Sequence, residues 1–119
     1  MFIWRACNNI LLTKANLKKK NVLDDDKCNF CCGEPETTLH ILWDCPSSQD
    51  VWCGSGNKIQ KRGVGGMNFM AVMKSMVELL QEEELELFVL TAKGIWKRRN
   101  DTVHGEILTH PNVILKKGL

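Results

Sequence analysis

Three cysteines and a histidine between residues 28 and 45 have the donor types and the spacing of a metal site. They are Cys28, Cys31, His40 and Cys45, separated by two, eight and four intervening residues. A Cys-x2-Cys turn delivers two thiolates to one side of a metal, and a following helix can deliver an imidazole and a third thiolate to the other. That donor set in a tetrahedron suits zinc. Four protein ligands leave no position for water or substrate, so the expected ion is structural and not hydrolytic. Cys32 offers a Cys-x3-Cys alternative to Cys31, but the two-residue spacing is the standard zinc turn. A redox pair of Cys28 and Cys31 would follow a strand in an alternating strand and helix pattern, which the sequence lacks. Buried free thiols are the plain alternative for all three cysteines. Cys7 and Cys53 lie on apolar stripes and are expected in the core.

Composition decides how the six cysteines are read. The chain has 119 residues, 44% apolar and 25% charged, which fits one domain or a compact module with an appendage and argues against wholesale disorder. No apolar run approaches the ~20 residues a membrane span needs. The N-terminal apolar stretch is interrupted by Arg5 and by Asn8 and Asn9, and no small-residue cleavage site follows, so a secretory signal is not expected. An intracellular location, nucleus or cytoplasm, is the expectation, and a reducing compartment favours metal binding over disulfides. Net charge is only +2 but uneven. Residues 1–20 hold Arg5, Lys14, Lys18, Lys19 and Lys20 with no acid, while residues 21–53 hold seven acids against Lys27 alone.

The elements that must position these groups are helical by periodicity. Ile3, Trp4, Cys7, Ile10 and Leu11 form one apolar stripe over residues 2–11. Thr13 is a candidate N-cap for a turn over 14–19 in which Leu17 faces inward and the lysines face water. Gly33 and Pro35 mark a loop, after which Thr37 or Thr38 can cap a helix carrying Leu39, His40, Leu42 and Trp43. Pro46, which lacks a backbone donor, ends or displaces that helix, and a last turn over 47–53 carries Val51 and Trp52. The glycine-rich stretch 54–66 reads as a linker. Beyond it Asn68 can cap a stripe of Phe69, Val72, Met73, Met76, Leu79 and Leu80. Leu85, Phe88, Val89, Ala92, Ile95, Trp96 and Val103 form a second stripe, with Glu82, Glu83 and Glu84 in its first turn and Lys97, Arg98 and Arg99 toward its end. The expected fold is mainly α: a zinc-stabilised helical module with a Cys-x2-Cys turn over 1–53, then a helical hairpin over 67–104 and a tail over 105–119.

Trp4-Arg5, Leu11 and Thr13, Cys28 and Cys31, Glu36-Thr37 with His40, Cys45-Pro46 and Trp52 together resemble the zinc-binding domain that follows the reverse transcriptase in plant non-LTR, LINE-type retroelements. The resemblance covers residues 2–53. It departs at Cys32, where that family has glycine, and at Leu12, where it has proline. The later stretch from Ile95 to Gly105 resembles, less specifically, the connector such polyproteins carry before a ribonuclease H domain. A detached piece of such a polyprotein is therefore the expectation.

The resemblance implies a non-catalytic module beside template RNA. The residues agree, because the acidic runs are not paired around a pocket and no phosphate-binding glycine loop or nucleophile with its base is present. The expected activity is weak binding of single-stranded RNA or DNA, with Arg5, Lys14, Lys18, Lys19 and Lys20 on phosphates and Trp43 or Trp52 available to stack on a base. Burial of those tryptophans is the favoured alternative in so small a fold, and it accompanies a second reading, a structural or protein-interaction module that uses its amphipathic helices. A third is a retroelement relic with no selected activity. No small-molecule substrate and no membrane partner are expected.

Overall fold

Short helices and caps dominate the first half of the chain, as described by a computed structural model for residues 2–31, 33–54 and 68–109. Helix α1 spans Phe2–Cys7, shorter than its apolar stripe predicts. Asn8 and Asn9 end it, with Asn9 at φ 55°, a left-handed conformation that asparagine tolerates better than most residues. The early stop turns the stripe: Ala6 is buried, whereas Trp4 and Ile10 are exposed. Asn16 locks this turn by donating its Nδ2 to the carbonyls of Asn9 at 3.0 Å and Leu11 at 2.8 Å.

Thr13 caps helix α2, Lys14–Lys19, as its sequence predicts, accepting from the Asn16 backbone N–H at 3.2 Å. Leu17 faces inward and Lys18, Lys19 and Lys20 face water. Lys14 does not. It is buried, and its Nζ donates to Asn29 Oδ1, which ties α2 to the cysteine turn.

A narrow loop then closes on itself, with Cys28 N–H donating to Glu34 O at 2.8 Å and Glu36 N–H to Asp26 O at 2.6 Å around an antiparallel bridge of Lys27 and Pro35. No strand forms among the described residues. Thr37 Oγ1 accepts from the His40 N–H at 3.0 Å and starts the next helical stretch. From His40 to Asp44 that stretch is a wide π-turn, in which Cys45 N–H reaches back to His40 O at 2.7 Å. Pro46 is the reason for this irregularity. It has no N–H to offer, so the carbonyls of Ile41 and Leu42 take side-chain donors, Ser48 Oγ and, at 2.8 Å, Trp52 Nε1. Helix α3, Pro46–Cys53, begins with the proline at its first position, where the missing donor is harmless. Cys53 is exposed at its end, against its expected place in the core.

Asn68 caps helix α4, Phe69–Leu79, and Phe69, Val72 and Met76 are buried, although Leu79 is exposed. Helix α5 spans Glu82–Thr109 and buries Phe88, Ala92, Ile95 and Val103. Its acids stand in the first turn as expected, but Lys97, Arg98 and Arg99 lie within the helix, not at its end. No described helix is long and apolar enough to cross a membrane. The stretch expected as a linker, apart from Gly54, and the tail beyond Thr109 lie outside the described residues.

The two ends of the chain share one core. Phe88 of α5 stacks on Trp52 at 4.9 Å and on Phe69 of α4 at 6.3 Å, and it lies 6.1 Å from Trp43. Helix α4 packs against α1, and α5 packs against the π-turn and α3. The apolar faces of both long helices are thus covered by the cysteine-rich half.

Candidate metal centre

Three local structures bring Cys28, Cys31, His40 and Cys45 together. The bridge of Lys27 and Pro35 fixes the ends of the cysteine turn, the Thr37 cap orients the first turn carrying His40, and the wide turn before Pro46 swings Cys45 back toward Cys28. Their donor atoms all lie within 4.8 Å of one another. Cys28 Sγ is 3.8 Å from Cys45 Sγ, and Cys31 Sγ is 3.3 Å from His40 Nε2. Tetrahedral zinc with Zn–S bonds of about 2.3 Å has a sulfur–sulfur edge of about 3.8 Å, so the spacing fits the ion. Cys28, Cys45 and His40 are buried and Cys31 is half-buried. Cys32 lies outside the described residues; among the described residues it is Cys31 that joins Cys28 in the cluster.

Burial pushes the Cys28 thiol up to about 12, against the opposing effect of the Cys31 and Phe30 N–H groups aimed at its sulfur; the nearby Cys45 adds to the rise. Cys31 moves the other way, held below the ordinary thiol value chiefly by the N–H groups of Gly33 and Glu34. Backbone N–H groups thus face the sulfurs of both Cys28 and Cys31, a setting that favours thiolate, while burial of Cys28 opposes its charge and a cation among the sulfurs would offset that cost. Four protein donors are the full complement of a tetrahedral ion, an arrangement suited to holding a metal.

Residues 1–52 match the family model described as zinc-binding in reverse transcriptase. The match covers 52 of the chain's 119 residues, less than half of it. The match agrees with the resemblance, read from the sequence, to the zinc-binding domain of plant retroelement reverse transcriptases. A protein of Arabidopsis thaliana that bears the name of a ribonuclease H protein is 29% identical over 51 residues, which are 43% of this chain and 8% of the relative. The chain therefore spans a small part of that relative's length. No solved structure matches significantly.

The cysteine-rich module is held from outside by α5. Arg99 Nη2 donates to Glu36 Oε1 at 2.6 Å, and Arg99 Nε lies 3.1 Å from both carboxylate oxygens. Glu36 Oε1 also accepts from the Lys14 N–H at 2.8 Å. The pair is almost wholly buried, 3% and 0% exposed, where a charge-assisted bond is strong and an unpaired charge costly. One residue earlier, the Arg98 guanidinium stacks over Phe30, inside the cysteine turn, at 5.0 Å and donates to Ser47 Oγ at 2.8 Å. Sequence reasoning missed both roles. The signal was available for Arg99, which continues the buried spacing of Phe88, Ala92 and Ile95 and precedes Val103 by four residues.

The residues expected to meet phosphate do not form one surface with equal access. Arg5, Lys18, Lys19 and Lys20 are exposed, whereas Lys14 is buried and bonded inside the module. Lys18 also lies 3.9 Å from Asp26 of the acidic turn. Trp43 and Trp52 are 1% exposed and cannot stack on a base from their places in the core.

Proposed function

We propose that the chain is a non-catalytic zinc module that binds single-stranded nucleic acid weakly and without sequence preference. Cys28, Cys31, His40 and Cys45 hold one zinc ion, whose role is to fix the loop and the π-turn against α5. The observation that carries this reading is the convergence of the four donor atoms within 4.8 Å in a segment that matches the family model described as zinc-binding in reverse transcriptase. The zinc is structural because its four ligands all come from the protein. Exposed basic side chains, Arg5 among them, support the nucleic-acid part, since phosphate contacts give affinity without reading sequence.

Metal analysis of the purified chain tests the first part: one zinc per chain, lost in Cys45→Ser and kept in Cys7→Ser and Cys53→Ser. A Cys45→Ser protein with a full equivalent of zinc would overturn the ligand assignment. Binding to single-stranded RNA at low and high salt tests the second part, with an affinity of about 10⁻⁴ to 10⁻⁶ M expected. The buried tryptophans favour a second reading, a purely structural or protein-interaction module, which undetectable binding at low salt would establish in its place.

A further inference from the structure

Between α1 and α5 runs a groove of about 520 Å³ whose walls combine cations with apolar and aromatic surface. Arg5 comes from α1, and Lys93 and Lys97 come from α5 one turn apart. Trp96 and Leu90 supply the apolar wall, and Leu90 is 65% exposed. The Trp96 ring is fixed by the Arg99 guanidinium 4.5 Å away, and Arg99 is itself anchored by Glu36. Gly94 opens the groove, since a Cβ built there meets nothing within 4 Å.

We infer that this groove, and not the lysine run Lys18 to Lys20, is the surface that takes a single strand of nucleic acid. The inference rests on the single-strand binding proposed above and locates it. The charge favours that occupant. Among the described residues the side chains of Arg5 and Lys93 have no hydrogen-bonded or ion-pair partner, and Lys97 meets Asp101 at 3.0 Å in an exposed pair that a phosphate can displace. Lys18, by contrast, already has Asp26 nearby, with Asp24 and Asp25 exposed in the same turn to repel a polyanion. The apolar wall gives a base somewhere to lie while its phosphates meet the cations, the combination by which single strands are held without sequence readout. Gly94 in the middle of a helix costs helix stability and leaves room for such an occupant.

The test uses the full zinc-loaded chain and a labelled single-stranded RNA of mixed sequence, with the DNA of the same sequence as a parallel arm. Anisotropy is read at several salt concentrations. Arg5→Gln with Lys93→Gln is expected to lower affinity roughly ten-fold near 0.1 M salt and to flatten the logarithmic salt slope by about 1.4, two phosphate contacts at about 0.7 each. Gly94→Leu fills the groove with every charge kept and is expected to weaken binding by a similar factor. Lys18→Gln, Lys19→Gln and Lys20→Gln together are expected to change affinity less than two-fold, roughly the loss of a peripheral charge. All variants should keep the zinc content of the parent and none should melt below it, with Gly94→Leu melting somewhat higher because the helix loses a glycine. RNA and DNA arms that respond alike assign the contact to phosphate and base, and a preference for RNA adds a sugar contact in the same groove. If the chain binds but the groove variants bind as the parent does, the location is wrong and the broader reading stands. If the parent binds neither strand, both fall, and a change of oligomeric state in Gly94→Leu would then assign the groove to a second copy.

Discussion

Arg99 and Glu36, 63 residues apart in the chain, meet in a buried pair in which the Arg99 Nη2 donates to Glu36 Oε1 at 2.6 Å. The contact joins α5 to the residue that directly precedes the Thr37 cap, and so ties the long helix to the segment that presents His40. Removing one partner leaves a buried charge without its counter-charge, and such losses cost about 3–5 kcal/mol. Arg99→Ala and Glu36→Ala are each expected to destabilise the zinc-loaded chain by that order and to weaken zinc binding. The double change Glu36→Leu with Arg99→Met should recover much of the stability, read by denaturant unfolding. Single variants as stable as the parent would show that the pair carries no net stabilisation.

The thiols set the response to pH. In the metal-free chain Cys28 is raised from 9.0 to about 12, so its contribution to stability is complete below pH 9.0 and is lost as pH rises toward 12. Cys31, lowered, acts in a different window, contributing in full above 9.0 and losing that contribution as pH falls through its folded value. After chelation the melting temperature should therefore fall above pH 9.0. With zinc bound the trend is reversed, because protons compete with the metal for thiolate and imidazole. Melting curves of loaded and chelated protein across this range, with released zinc followed by a colorimetric chelator, check both signs.

Phe88 is wholly buried and touches rings from both halves of the chain. Phe88→Ala should cost about 3–5 kcal/mol through lost transfer energy and the cavity left behind. Because its neighbours include Trp43, Trp52 and Phe69, tryptophan fluorescence and helical circular dichroism should fall in one shared transition at lower denaturant. Two separate transitions in the parent chain would mean that the halves fold independently.

Thr37 places His40 through a single cap bond of 3.0 Å. Thr37→Ala should cost about 1 kcal/mol and accelerate zinc release, whereas Thr37→Ser, which keeps the acceptor, should resemble the parent. Stopped-flow transfer of zinc to a chelator separates the two variants.

The donor set was legible in the sequence because its spacing is local: a two-residue gap makes the cysteine turn, and Thr37 and Pro46 bracket the helical stretch that carries the other donors. Helices α2, α4 and α5 were legible for the same reason, since caps and apolar periodicity act within a few residues. The early end of α1 at Asn8 and Asn9 was not, because the apolar stripe continues past the break. Nor was the π-turn, in which the missing N–H of Pro46 is made good by Ser48 and Trp52 from the following helix. The ion pair of Arg99 with Glu36, the burial of Lys14, the shared core around Phe88 and the groove of Arg5 with Lys93 depend on contacts between distant segments. A sequence pattern records which face of a helix is apolar; which other segment covers that face is decided only when the chain closes on itself and buried charges must find partners.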